Sequence, residues 1–269
     1  MHHPRKRFGQ NFLRDRQIMG RILSAVEIAL DDQILEIGPG QGALTDLLLS
    51  KGVRVQAFEI DRDLAARLLE RKDSNLNVVV GDALCLDWQK LLSCPPYKLV
   101  ANLPYNISSQ ILFKILDHRN FFSRLVLMFQ KEVAERIMAE PATKSYGILS
   151  VLVQTWFDVS MVTKVSPQAF YPKPKVDSAV LLLEPLPRPR SEIDNETLYK
   201  ALVRSAFSHR RKTLRNSLMG SGWPADIVDR ACRDVSIDSS RRGETLNIEE
   251  FASLANHINK LMQGDKSDV

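Results

Sequence analysis

Short apolar runs rich in β-branched residues alternate with stretches of helical periodicity through residues 33–184. That alternation constrains the fold of this chain more than any other feature. Runs at 33–37, 53–60, 77–80, 98–101, 125–129, 157–162 and 178–184 read as strands. Helical patterns fall at 17–29, 43–50, 62–71, 109–116, 132–139 and 148–155. Strand and helix in turn imply an α/β domain whose parallel sheet is covered on both faces. Only an irregular Pro-rich stretch joins the last two strands, which suits a hairpin better than a crossover helix. The sheet is therefore expected to end with an antiparallel strand.

"PLPRPR", residues 185–190, breaks the pattern, and no convincing strand follows it. Segments 196–218, 224–234 and 248–262 read as helices, with Asn247 and Glu250 offering an N-cap and capping box for the last. The expected organisation is an α/β domain over residues 1–187 and a small helical domain over 188–269. The polar tail 264–269 is expected to fray.

With 269 residues, 44% hydrophobic and 26% charged, the chain can bury a substantial core. No apolar run approaches the ~20 residues needed to span a bilayer. The basic start "MHHPRKR" lacks an apolar signal core, so a cytoplasmic location is expected. Cys85, Cys94 and Cys232 have neither disulfide nor metal spacing, and the five histidines are scattered, so no metal is expected. Net charge is +5, and basic residues concentrate at Arg5-Lys6-Arg7 and in "RSAFSHRRKTLRN", residues 204–216. Charge alone leaves two readings open: two solvated faces, or two patches bracketing a nucleic-acid path.

"ILEIGPGQGALT", residues 34–45, is a strand, a tight glycine turn and a helix start. Gly38, Gly40 and Gly42 remove side chains where the backbone bends and a ligand approaches, although their spacing departs from the dinucleotide fingerprint. The next strand ends "FEID", placing Glu59 where a carboxylate can accept from both hydroxyls of a ribose. The strand after it ends "VVVGDAL", where Asp82 can accept from an exocyclic amine such as that of adenine. A glycine turn and two acids at successive strand ends form the set a nucleoside pocket needs.

"NLPYNIS", residues 102–108, follows the next strand. Adenine N6 is a poor nucleophile because its lone pair is delocalised into the ring. Acceptors for both of its hydrogens favour a pyramidal nitrogen with that pair free. The Asn102 side-chain oxygen and the Leu103 carbonyl are adjacent acceptors, and Pro104 holds Leu103 extended. Tyr105 can stack on the base, a contact worth ~1–3 kcal/mol. Such a site works by positioning nucleophile and methyl group in line, which favours S-adenosylmethionine over a dinucleotide.

Taken in order, "RKRFGQNFL", "EIGPGQGALT", "FEID", "GDAL", "NLPYNIS", "QKEVAERI", "AFYPKPKVDSAV" and "HRRKTLRNSL" cover nearly the whole chain. In this combination they resemble the ribosomal RNA adenine N6-dimethyltransferases, in particular those of the small subunit. The resemblance implies a seven-stranded, Rossmann-like S-adenosyl-L-methionine methyltransferase sheet, mostly parallel with one antiparallel strand, and a small all-helical C-terminal domain for rRNA recognition. It implies dimethylation of two adjacent adenines in the 3′-terminal hairpin loop of 16S rRNA, late in assembly, on the pre-30S particle. By resemblance, Asn11, Leu13, Gly38, Glu59, Asp82 and Asn102 would hold the cofactor, with Ala83 an apolar neighbour. Asn102 and Leu103 would bind the target N6, with Tyr105 stacking on one face and Phe170 closing the other. Arg5, Lys6, Arg7, Arg210, Arg211, Lys212 and Arg215 would contact rRNA, with Arg211 and Arg215 one turn apart on a helix.

Rival readings are a resistance-type methyltransferase of a large-subunit adenine and a non-catalytic rRNA-binding assembly factor. DNA is disfavoured, since no sequence-reading module stands out and a paired base would have to be flipped. A monomer is expected, because no heptad or apolar surface stripe stands out.

Overall fold

The computed structural model describes residues 4, 5, 8–209 and 211–264. They form two compact units, the described residues of 1–134 with 158–185, and those of 135–157 with 186–264.

The first unit is built on seven strands, β2 (Gln33–Ile37), β3 (Arg54–Glu59), β4 (Leu76–Val80), β5 (Tyr97–Asn102), β6 (Phe122–Gln130), β7 (Phe157–Val165) and β9 (Ser178–Pro185). Their order is β4-β3-β2-β5-β6-β9-β7. The pairs among β4, β3, β2, β5 and β6 are parallel, and β9 runs antiparallel to β6. Helices α2 (Ala43–Leu49), α3 (Arg62–Glu70), α4 (Trp88–Leu91) and α5 (Ser108–Asp117) connect successive parallel strands, and α6 (Lys131–Ile137) leaves β6. Adjacent residues Ile34 and Leu35, Leu99 and Val100, and Leu125 and Val126 are all buried. Both faces of the central strands are therefore covered, as a parallel sheet requires. Helix α1 (Arg16–Val26) adds Met19, Ile22 and Val26 to one of these layers, and Asp15 caps it by accepting from Gln17 N and Ile18 N.

The antiparallel strand is not at the end of the sheet, where the sequence placed it. β9 reads "SAVLLLEP" and is mostly buried, so it takes the slot beside β6, while the half-exposed β7 forms the edge. Two short strands without a periodic signal, β1 (Phe12–Leu13) and β8 (Phe170–Tyr171), pair antiparallel in a separate ladder.

The chain runs outward from β2 to β3 and β4, then returns to β2's other side with β5 and β6. Strand order thus reverses between β2 and β5, and the crevice beyond their carboxyl ends is the natural ligand site of such a sheet. Register brings Ile37 of β2 level with Phe58 of β3 and Ala101 of β5. The turns that follow these strands therefore share one edge.

The second unit contains α7 (Ile148–Trp156), α8 (Glu196–Ala206), α9 (Leu214–Gly220), α10 (Ala225–Asp234) and α11 (Ile248–Gly264). Tyr199, Leu202, Leu218, Val228, Phe251 and Leu254 are fully buried within it. The expected boundary at 187/188 left residues 135–157 with the sheet, whereas they group with these helices. The reason is local: Thr155 Oγ1 and the Tyr199 hydroxyl lie 2.9 Å apart, Trp156 packs edge-on against Tyr199, and the Tyr146 hydroxyl donates to Leu246 O at 3.0 Å. The capping box of α11 forms as expected, with Glu250 N donating to Asn247 Oδ1 at 2.8 Å and Asn247 N to Glu250 Oε2 at 2.9 Å. The expected helix 196–218 is instead two helices. Its apolar period lapses over the polar residues from Ser208 to Lys212, and Thr213 then caps α9 by accepting from Asn216 N.

Candidate active site

A cleft of about 700 Å³, its open mouth included, lies at the β2/β5 switch point, within the size range of small-molecule sites. Its floor is the glycine turn. Gly38 has φ 71°, and a Cβ there would project into open space rather than into protein, which leaves the cleft clear for a ligand beside bare backbone. Gly40, at φ 60°, is needed for packing instead, since a Cβ would come within 2.9 Å of the Phe12 ring.

The Glu59 carboxylate is buried and organised by backbone donors. Oε2 accepts from Gly40 N at 3.0 Å and Oε1 from Asp61 N at 2.8 Å. Burial raises its pKa above the usual carboxylate value, and these backbone bonds oppose the rise. Each oxygen keeps a lone pair for a ribose hydroxyl. Asp82 is held through Oδ1 by Leu84 N at 2.9 Å, and Ala83 by Trp88 Nε1, which donates to its carbonyl at 3.0 Å. Among the described residues nothing donates to Asp82 Oδ2, so it is available to an amine.

Behind Glu59, Glu36 of β2 is fully buried and accepts from Thr45 Oγ1 at 2.7 Å. Desolvation lifts its pKa to about 7, with neighbouring Glu59 adding to the rise and the Thr45 bond opposing it. The sequence reading passed over this residue, although an acid inside an apolar strand was the available signal.

At the other wall, Asn102 Nδ2 donates to Asn11 O at 2.9 Å. That bond fixes the amide, and among the described residues neither Asn102 Oδ1 nor Leu103 O accepts a hydrogen bond. Two uncommitted acceptors thus sit at adjacent positions on the cleft wall, next to Pro104. Tyr105 follows, half-buried, with its hydroxyl 2.6 Å from Ser178 Oγ; burial raises its pKa, opposed by the Ser178 bond.

The segment from Phe8 to Phe12 forms the remaining wall, a contribution the sequence reading assigned only to Asn11. It is tied down by Arg5 and Gln10. The Arg5 guanidinium meets Asp61 at 3.1 Å and Asp63 at 2.5 Å, and Gln10 Nε2 donates to Asp61 Oδ2 at 2.9 Å. Arg5, expected to contact RNA, is therefore committed to carboxylates, and Lys6 and Arg7 lie outside the described residues.

The β1–β8 ladder corrects two further expectations. Its register pairs Leu13 with Phe170 and Phe12 with Tyr171, and paired side chains share a face. Leu13 and Phe170 turn into the apolar core beside Met19 and Val180, and neither lines the cleft. Phe12 lines it instead.

The basic stretch also departs from expectation. Arg211 and Lys212 are exposed in the turn before α9, so Arg211 and Arg215 do not share a helix face. Arg215 is held by Asp229, with Nε–Oδ1 at 2.6 Å and Nη2–Oδ2 at 2.8 Å, and this pairing raises the Arg215 pKa and lowers that of Asp229. Arg210 lies outside the described residues. Among those residues Arg211 and Lys212 form no ion pair, and no group of His, Cys, Asp and Glu is arranged to hold a metal. No described helix is long and apolar enough to cross a membrane.

A ribosomal RNA small subunit methyltransferase A from Syntrophotalea carbinolica is 57% identical over 257 residues, covering 96% of this chain and 97% of that protein. A protein of the same name from Geobacter metallireducens is 47% identical over 93% of this chain and 94% of its own length. Among solved structures, a dimethyladenosine transferase from Plasmodium falciparum superposes with a TM-score of 0.78 at 29% identity, over 93% of this chain and 98% of that one. The 23S rRNA methyltransferase ErmE gives 0.68, also at 29% identity, over 93% and 100%. The family model described as ribosomal RNA adenine dimethylase matches residues 1–260. A family model over residues 1–260 and a relative 57% identical over 96% of the chain leave one conclusion: the chain belongs to the ribosomal RNA adenine dimethylase family.

Proposed function

We propose that this protein transfers methyl groups from S-adenosyl-L-methionine to N6 of two adjacent adenines in the 3′-terminal hairpin loop of 16S rRNA, acting in the cytoplasm on the pre-30S particle. The observation that carries this reading is the pair of free acceptors, Asn102 Oδ1 and Leu103 O, on the wall of a cleft whose other end carries Glu59 and Asp82.

The cleft suits the cofactor on three counts: bare backbone at Gly38, a carboxylate held by two backbone donors at Glu59, and an uncommitted oxygen at Asp82. When bound, S-adenosyl-L-methionine supplies an electrophilic methyl group on a sulfonium. Glu59 would hold the ribose, Asp82 the adenine amine, and Asn11 and Ala83 would line the site.

Asn102 and Leu103 accept the two N6 hydrogens of the target, which draws the lone pair out of conjugation. Tyr105 stacks on the ring, its orientation set by Ser178. The positively charged nitrogen left after transfer is strongly acidic, so its proton leaves to water or a backbone oxygen without a general base. Catalysis is then mainly a matter of holding the nucleophile in line, an effect that costs about a hundredfold when geometry slips by an ångström. Arg211 and Lys212, exposed and unpaired with acids, are the residues proposed to meet rRNA phosphates.

The large-subunit alternative shares this site. Relatives named for the small subunit reach 57% identity against 29% for ErmE, and that difference favours the small subunit. Incubation with methyl-labelled cofactor and unmethylated small or large subunits separates the two. Label in small-subunit adenines is the expected result, and label confined to large-subunit RNA, or none, would overturn the proposal.

A further inference from the structure

Tyr171 is 51% exposed, unusual for a ring in a paired strand, and its direction is set by the β1–β8 ladder. It stands opposite Phe12 in the β1–β8 register, so the two side chains leave the ladder on the same side. Phe12 lines the cleft, and Tyr171, on the same face of the ladder, stands exposed beyond that lining. The Arg14 guanidinium covers the ring at 4.2 Å from its centroid, and Arg14 N donates to Ala169 O at 2.8 Å, which extends the ladder by one bond. Among the described residues Arg14 forms no ion pair. The exposed loop that follows, Pro172-Lys173-Pro174-Lys175-Val176, carries two lysines that likewise pair with no acid among the described residues.

A flat cation laid on an exposed aromatic ring, at the rim of a base-binding cleft and beside unneutralised lysines, matches the chemistry of single-stranded RNA. Aromatic rings and guanidinium planes both stack bases without sequence preference, and lysines neutralise the connecting phosphates. We propose that Tyr171 and Arg14 form a second base subsite, which stacks a nucleotide flanking the target adenine, with Lys173 and Lys175 on its phosphates. The subsite rests on the reading of the cleft as an adenine N6 site. Its role there is to keep the strand from sliding once the target base has been drawn out of the loop.

The test uses the full chain, saturating S-adenosyl-L-methionine and a hairpin RNA with the small-subunit loop, carrying 2-aminopurine on either side of the target adenine. Wild-type protein should quench the fluorophore at one flanking position. Tyr171→Ser should abolish that quenching and weaken RNA binding about tenfold, and Tyr171→Trp should restore both. Arg14→Ala should weaken binding less and leave most of the salt dependence, which Lys173 and Lys175 carry, in place. Cofactor affinity should stay at the wild-type value in all three variants. No quenching at either position, or Tyr171→Ser with wild-type quenching and affinity, would overturn the subsite while leaving the methylation reading intact. Loss of cofactor binding in Tyr171→Ser would overturn it too, by showing the ring to be structural. A wild-type protein that methylates no adenine at all would remove the reading beneath it.

Discussion

The carboxyl edge of the sheet and the basic stretch at 204–216 both offered candidate site residues in sequence, yet the structure groups only the first set around one cleft. At the sheet edge, parallel pairing holds the ends of β2, β3, β4 and β5 level, so residues at or just past each strand end converge whatever the lengths of the connections. Gly38, Glu59, Asp82 and Asn102 are brought together in this way. In the basic stretch no ladder imposes a register. Where the helix breaks depends on a short polar run and a single threonine cap, and shifting that break redirects every side chain. Arg215 left the expected RNA face for Asp229, while Arg211 and Lys212 remained in an exposed turn. Long-range hydrogen bonding makes spacing dependable; local capping makes it fragile.

The largest test of this contrast is at the sheet edge. Asn102→Ala removes one of the two acceptors proposed for the target amine, together with the amide's bond to Asn11 O, and kcat for methyl transfer should fall about a hundredfold to a thousandfold, the scale seen when one preorganised polar contact is lost. A non-catalytic assembly factor would function normally with that substitution.

Glu36 tests the same edge through pH. Its pKa in the folded protein is about 7 against an ordinary 4.5, so the folded state holds a proton that the unfolded chain has released. The associated stabilisation is complete below about pH 4.5 and is lost as pH rises through 7. Glu36→Gln removes this dependence. Its stability relative to wild type should therefore grow across that window, by up to about 3 kcal/mol, as read from urea midpoints at the two ends.

Smaller effects separate the arginines of the basic stretch. Arg211→Glu with Lys212→Glu should weaken rRNA binding and flatten its salt dependence by about two ions, with cofactor affinity unchanged. Arg215→Ala should leave the salt slope unchanged and slightly lower the melting temperature, because its partner is Asp229. The reverse pattern would restore the helical basic face that the periodicity suggested.

Most of the fold was legible because strands buried on both faces leave continuous apolar runs that chain length and neighbours do not disguise. The two-residue strands β1 and β8 left no such signal: Phe12 and Phe170 look alike in sequence, and only cross-strand register sends one to the cleft and the other to the core. The folded arm was hidden for a related reason. Arg5 reads as a nucleic-acid contact until Asp61, 56 residues away, is brought beside it. The place of residues 135–157 depended on Thr155 and Trp156 meeting Tyr199, a contact no local pattern announces.

A crystal soaked with sinefungin decides whether the cleft presents a sulfonium-bound methyl group to the acceptors at Asn102 and Leu103. The expected density has ribose hydroxyls on Glu59, the adenine amine on Asp82, and the analogue's own amine facing Asn102. Sinefungin bound elsewhere, or no uptake by calorimetry, would contradict it.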